Sequence, residues 1–171
     1  MFFLNKETAA KTTIGQIEVG EVTIWRYIPR SKYMIAANGH LRATAEAFSI
    51  KRKPDGKPKA PSASFFQLKG TSDHSLAIAV SFLQMFQSEK NYSVHVRDAS
   101  GSIQTAKIIE MTKDPKIFSL AVSSKQVTGS GMLHWDLKYA KNDLDQAMQD
   151  AKNALSLVCD VYSPAMQVPA C

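Results

Sequence analysis

The chain has 171 residues, 44% of them hydrophobic and 21% charged, which is the length and composition of one globular domain around a single core. Its 2 cysteines exclude a disulfide scaffold and predict free thiols in a reducing, cytoplasmic setting. The formal charge of +6 is unevenly placed: residues 1–70 hold 12 Lys/Arg against 5 Asp/Glu, and residues 71–171 hold 9 against 10.

In chain order, residues 1–15 read as a flexible polar arm. Residues 16–28 read as a strand, with Val22, Ile24 and Ile28 on one face and Thr23, Trp25 and Tyr27 on the other. Pro29-Arg30-Ser31 breaks it, and residues 33–37 form a second strand closed by the hairpin signal Asn38-Gly39. Residues 41–51 fit a third strand or an Ala-rich helix; the alternation of Arg42, Thr44 and Glu46 against Leu41, Ala43 and Ala45 favours the strand. A Pro/Gly loop follows, then a fourth strand over 62–68. Thr71-Ser72-Asp73 is a helix-capping cluster, and the helix it opens runs to about Glu89. Leu76, Ala79, Val80, Leu83 and Phe86 share one face of that helix. Ala77, Ile78, Phe82 and Met85 make the other sides apolar as well, so burial on more than one side is expected.

The second half repeats this plan. Strands are expected over 92–97, with Val94 and Val96 inward, and over 103–111, 117–123 and 132–138. Turns are expected at Ala99-Ser100-Gly101-Ser102 and Lys113-Asp114-Pro115-Lys116. Asn142 or Asp143 caps a final helix with Leu144, Ala147, Met148, Ala151, Leu155, Val158 and Tyr162 inward, ended by Ser163-Pro164. Lys141, Asp145, Gln146, Gln149, Asp150 and Lys152 form its solvated face. Cys159 falls in this helical pattern. Residues 163–171 form a tail.

The predicted fold is therefore α+β: two four-strand-plus-helix units, 16–90 and 91–162, in one domain of packed antiparallel sheets with two helices. Phe66-Gln67-Leu68-Lys69 and Trp135-Asp136-Leu137-Lys138 mark equivalent junctions before the two helices. This doubled order resembles the Whirly family of single-stranded DNA-binding proteins and the related Pur-repeat and mitochondrial guide-RNA-binding proteins, over residues 16–162. The Whirly signature Lys-Gly-Lys-Ala-Ala-Leu has only a loose echo in Asn38-Gly39-His40-Leu41-Arg42-Ala43, so the resemblance transfers no site residue. It implies two sheets packed roughly at right angles, strand surfaces that hold unpaired bases, and an oligomer, dimer or tetramer.

No phosphate-binding Gly loop, nucleophile elbow or Cys-x-x-Cys pair is present, and no cofactor is expected. Ser72-Asp73-His74 are consecutive, so they cap a helix and cannot form a relay. His95, His134 and Asp136 would make a metal site only if their strands were neighbours. Glu18, Glu21 and Glu46 are the carboxylates nearest the basic region that a metal-dependent nuclease would need. The apolar stretch over 76–86 is too short to span a bilayer, and the first seven residues lack a secretory leader, so no membrane association is expected.

The signal that remains is a basic and aromatic one. Trp25, Arg26, Tyr27, Arg30, Lys32 and Tyr33 interleave rings with cations, Arg42 follows, and Lys51-Arg52-Lys53-Pro54-Asp55-Gly56-Lys57-Pro58-Lys59 carries five cations and one anion. Rings that stack unpaired bases and cations that track phosphates are the needs of sequence-tolerant single-strand binding. The expected function is a non-enzymatic protein for single-stranded DNA or RNA, with Trp25, Tyr27 and Tyr33 stacking and Arg26, Arg30, Lys32, Arg42, Lys51, Arg52, Lys53, Lys57 and Lys59 on phosphates. Lys predominates in the loop, which suits backbone contact more than base reading. The alternative is a protein-interaction or inhibitor module docking on an acidic protein, which does not need exposed rings.

Overall fold

The computed structural model describes residues 22–49, 54–55, 62–68, 75–111, 118–122, 131–139 and 144–166. β1 (Thr23–Ile28) alternates as expected, but both of its faces are covered. Ile24 and Ile28 enter one apolar cluster and Trp25 enters another on the opposite side. A short 3-10 turn, Arg30–Lys32, leads into β2 (Tyr33–Ile35), which pairs with β3 (Leu41–Ala43) in a two-stranded hairpin. The Gly39 N–H donates to the Ala36 carbonyl (2.8 Å) and Gly39 alone in the turn has positive φ, 83°. That geometry is a type I turn followed by a left-handed glycine, not the mirror-image turn that needs two positive-φ residues.

The expected strand over 41–51 stops at Ala43, and Ala45–Phe48 form a 3-10 turn. The alternation extends for three residues; beyond them the Ala47 N–H donates to the Thr44 carbonyl (3.1 Å) and the Ser49 N–H to the Glu46 carbonyl (3.3 Å), local bonds that replace a sheet ladder. β4 (Ser62–Leu68) matches its expected bounds. α1 (Leu76–Lys90) is capped by Ser75, whose hydroxyl accepts from the Ile78 N–H (3.4 Å); the expected caps Thr71, Ser72 and Asp73 lie outside the described residues. Only Ala79, Phe82 and Leu83 of α1 are fully buried, while Leu76 and Ala77 are exposed, so the helix lies on the sheet by one face and is not enclosed.

The second half departs most from expectation. Residues 92–98 carry no regular strand, and Val96 is 81% exposed instead of facing inward. The Asp98 carboxylate takes the His95 backbone N–H (2.8 Å) that a sheet ladder would have used. The expected turn 99–102 is instead the start of β5 (Ala99–Gln104), paired with β1 from Thr23↔Gln104 to Ile28↔Ala99. Its small residues are needed because neighbours approach closely. Ser100 Oγ donates to the Ala79 carbonyl of α1 (3.1 Å), and a Cβ on Gly101 would lie 2.5 Å from Ile28 Cδ1. The expected strand 103–111 becomes α2 (Thr105–Met111) after Gln104, where Thr105 exchanges bonds with Val22: its N–H donates to the Val22 carbonyl (2.9 Å) and its Oγ1 accepts from the Val22 N–H (3.1 Å).

β6 (Phe118–Val122) and β7 (Met132–Tyr139) agree with expectation. α3 (Leu144–Val158) ends earlier than expected; Cys159 lies beyond it, and Tyr162 belongs to a strand, β8 (Asp160–Tyr162), paired with β5. The capping candidates Asn142 and Asp143 and the turn at 113–116 fall outside the described residues.

These strands form one antiparallel sheet of six, in the order β6-β7-β4-β1-β5-β8, beside the β2-β3 hairpin. The fold is α+β. The described residues give three α-helices and a single main sheet drawing strands from both halves, where two four-stranded sheets and two helices were expected. Two apolar clusters cover the sheet. Trp25, Phe66, Leu68 and Met132 pack under Ala79, Phe82 and Leu83 of α1. On the other side Ile24, Ile28, Phe65, Ile103, Trp135 and Leu137 pack with Ala151 and Leu155 of α3 and with Tyr33, Ala43 and Phe48 of the hairpin segment.

Candidate nucleic-acid interface

The aromatic half of the expected site is mostly inside the protein. Trp25 is 0% exposed, stacked with Phe82 (centroids 6.0 Å, 23°) and tilted against Tyr162 (6.1 Å), and its Nε1 is buried without a hydrogen-bond partner. Tyr33 is 3% exposed, with its hydroxyl donating to the Arg97 carbonyl (2.6 Å). Tyr27 is half-buried, stacked on Phe86 (5.0 Å, 11°), and its hydroxyl donates to the Asp98 carboxylate. Burial first, and then that carboxylate, pushes the Tyr27 phenol well above its ordinary pKa. Trp25 and Tyr33 therefore offer no face to a base: Trp25 lies between the sheet and α1, and Tyr33, at the start of the hairpin, packs into the cluster on the other side of the sheet.

The cations divide into two groups. Arg26 works inside the fold, with Nε donating to the Ala47 carbonyl (2.6 Å), Nη1 to the Ser64 carbonyl (2.7 Å), and the guanidinium 5.7 Å from the Phe65 ring centre. Arg30 donates to the Tyr33 carbonyl (2.9 Å) and lies 4.6 Å over the Tyr33 ring, holding the start of the hairpin. Lys32 is half-buried beside them, and Arg42 is exposed on the hairpin directly across from the exposed Met34. Lys51, Arg52, Lys53, Lys57 and Lys59 lie outside the described residues; Pro54 and Asp55 between them form an exposed turn. Glu46, which follows the hairpin in the 3-10 turn Ala45–Phe48, is bound to Lys152 of α3 (2.7 Å). That Lys152 hydrogen bond, helped by Ser49, holds the Glu46 carboxyl below the usual range. Lys152 itself is 5% exposed, which corrects its expected place on the solvated face of the helix.

Residues 92–98 supply surface groups that the strand reading hid. Tyr92 is 48% exposed, and His95 and Arg97 are exposed. Asp98 anchors them, accepting from Tyr27, from the Arg30 N–H (2.9 Å) and from the His95 N–H (2.8 Å). Burial alone would raise the Asp98 carboxyl; these three donors outweigh it and hold the group lowered. The signal available in the sequence was Asn91 after a long helix, a left-handed cap (φ 49°) that forces the chain to leave the helix sharply.

The other chemistries have less to work with. His134 Nε2 is 3.3 Å from Asp136 Oδ1 on β7, but His95 sits in the 92–98 segment, and among the described residues no three His, Cys, Asp or Glu side chains gather as metal ligands. Glu18 and Glu21 lie outside the described residues. Among the described residues no helix is long and apolar enough to cross a membrane. No protein-family model, curated protein or solved structure matches this chain.

Proposed function

We propose that this chain binds single-stranded nucleic acid, DNA or RNA, without catalysing a reaction, chiefly through its phosphates and with low sequence specificity. One observation carries the reading. From Arg26 to Lys59 the chain holds nine cations against two anions, and one of those anions, Glu46, is already bound to Lys152. Exposed Arg42 stands on the hairpin, which precedes the Lys-rich segment in the chain. An excess of positive charge concentrated in one part of the sequence attracts polyanions, and each phosphate neutralised releases counterions. Both sheet faces are covered by helices or hairpin, which supports siting the contact on the hairpin and loops rather than on strand surfaces of the Whirly type. An oligomer, as the family resemblance implies, would present several such patches to one strand and raise avidity.

Anisotropy of a labelled single strand of ~30 nucleotides and of its duplex, titrated at low and moderate salt, tests this. Tighter binding of the single strand with a steep salt slope is the expected result. Replacing Lys51, Arg52, Lys53, Lys57 and Lys59 together by Gln should flatten the slope by roughly one unit for each phosphate no longer neutralised. Absence of binding at low salt would overturn the reading. Docking on an acidic protein is the second reading; Met34 and Ile35, 53% and 44% exposed beside Arg42, favour it, because exposed apolar side chains beside a cation suit a protein surface.

A further inference from the structure

The C-terminal end of α1 and the chain that leaves it border a shallow, open groove of about 650 Å³, lined by Gln84, Gln87, Ser88, Asn91, Tyr92 and Ser93. Its chemistry is unlike that of the basic segment. Every lining side chain is uncharged: three amides, two aliphatic hydroxyls and one phenol. The set contains no cation to hold a phosphate and no imidazole, thiol or carboxylate to hold a metal.

Tyr92 is the organising residue. Its ring meets Tyr27 edge-on (5.0 Å, 62°) and Phe86 at a tilt (5.5 Å, 57°), yet 48% of the residue remains exposed. The ring is thus held by two aromatic neighbours while about half of the residue stays accessible. Its backbone is fixed as well. The Tyr92 N–H donates to the Gln87 carbonyl (3.2 Å), and two residues on the Val94 N–H donates to Gln87 Oε1 (3.2 Å). Asp98 then ties the far end of the segment to Tyr27 and Arg30. A segment without regular secondary structure, anchored this often, presents its side chains in one arrangement, which lowers the ordering cost of binding.

We propose that this groove takes one unpaired base of the bound strand, stacked on Tyr92 with its polar edge toward the amides. The inference rests on the single-strand reading above and supplies the stacking contact that buried Trp25 and Tyr33 do not. A flat, uncharged ring with donors and acceptors on its edge is the ligand that an immobilised phenol ring and neutral amides fit together. Amides carry both donors and acceptors, so any base is accommodated, in keeping with low specificity. The segment that leaves the groove reaches the hairpin: exposed Arg97 lies five residues beyond Tyr92, and its carbonyl accepts from the Tyr33 hydroxyl at the start of β2.

The test compares an oligothymidylate of ~30 nucleotides with an abasic strand of equal length, by anisotropy at fixed salt. Wild type, Tyr92→Ala, Tyr92→Phe, Gln84→Ala and the five-fold Gln variant of the Lys-rich segment are titrated. Tyr92→Ala should lose about tenfold on the thymidylate strand, the size of one base stack, and nothing on the abasic strand. Tyr92→Phe should bind as wild type does, and the salt slope should stay unchanged in both. Gln84 lies on the exposed face of α1, so its variant keeps the fold and should show a smaller, equally base-dependent loss even if Tyr92→Ala fails to fold. Thymidylate binding unchanged in Tyr92→Ala and Gln84→Ala, with a loss in the Lys-segment variant, overturns the groove and leaves the single-strand reading standing. No binding of either strand by wild type removes both.

Discussion

Gly101 lies in the middle of β5, where the sheet has no room for a side chain. A Cβ there would approach Ile28 Cδ1 to 2.5 Å and Cys159 Sγ to 2.6 Å, both in buried residues. Gly101→Ala should therefore cost about 1–3 kcal/mol through overpacking. Adding Ile28→Val, which removes the nearer methyl, should return part of that loss; equal and additive losses in urea denaturation would show that the close approach is not the cause. Arg26 makes the opposite case, a polar group the interior requires. Its guanidinium fork joins the 3-10 turn at Ala47 to β4 at Ser64 and packs near the Phe65 ring. Arg26→Met should lose about 1–3 kcal/mol by stripping those partly buried carbonyls of a donor. Arg26→Lys should recover little, since a single ammonium lacks the fork that reaches two carbonyls together. A fully rescued melting temperature in Arg26→Lys would count against that account.

Lys152 and Glu46 join two elements, α3 and the 3-10 turn at Ala45–Phe48, by one ion pair that is asymmetric in burial: 7% side-chain exposure for the lysine, 67% for the glutamate. Removing the exposed partner should therefore do more harm than removing the buried one. Glu46→Gln strands a charged ammonium in the interior, whereas Lys152→Met replaces it with an apolar chain of similar length. Thermal melts should rank Lys152→Met above Glu46→Gln; the reverse order would mean that Lys152 reaches solvent. The same element shows where the sequence was legible and where it was not. Ala151 and Leu155 were expected inward and are fully buried, because a 3.6-residue period survives any tertiary context that packs one helix face. Lys152 was misplaced because its partner comes from 106 residues earlier in the chain, which periodicity does not carry. β4 and β7 were readable as apolar runs paired along their lengths. β5 was not, since Ser-Gly-Ser is the composition of a turn, and only the close approach of α1, Ile28 and Cys159 makes it that of a buried strand. For the candidate site the sequence carried net charge alone; which cations and rings the fold takes for itself depends on tertiary partners, as Arg26 held by the Ala47 and Ser64 carbonyls and Trp25 packed on Phe82 show.

Across the whole molecule, the titratable groups set a stability range open at neutral pH and closing at both ends. Asp98 and Glu46 have lowered folded pKa values, so their stabilisation is complete above the unfolded values, about 3.9 and 4.3, and is lost as pH falls through the lower folded values. Asp98→Asn should flatten the acid limb of a melting-temperature profile. Cys159, Tyr27 and Tyr162 are raised, burial being the first cause of each, with Asp160 adding to the first and third and Asp98 to the second. Their contribution is complete below the unfolded values, about 8.5 for Cys and 10 for Tyr, and drains as pH climbs toward the folded ones. Melting temperatures should thus hold through neutrality, fall in strong acid and begin falling again above about pH 8.5; a stability maximum near pH 10 would contradict the alkaline assignment. The two tryptophans, Trp25 and Trp135, are both 0% exposed on opposite faces of one sheet. Indole emission from the native protein should be blue-shifted, protected from iodide, and silent when an oligonucleotide is added. On unfolding it should move to the red as both layers open. The indoles therefore report whether the protein is folded, whereas half-exposed Tyr92 is a ring that solvent already reaches in the native state.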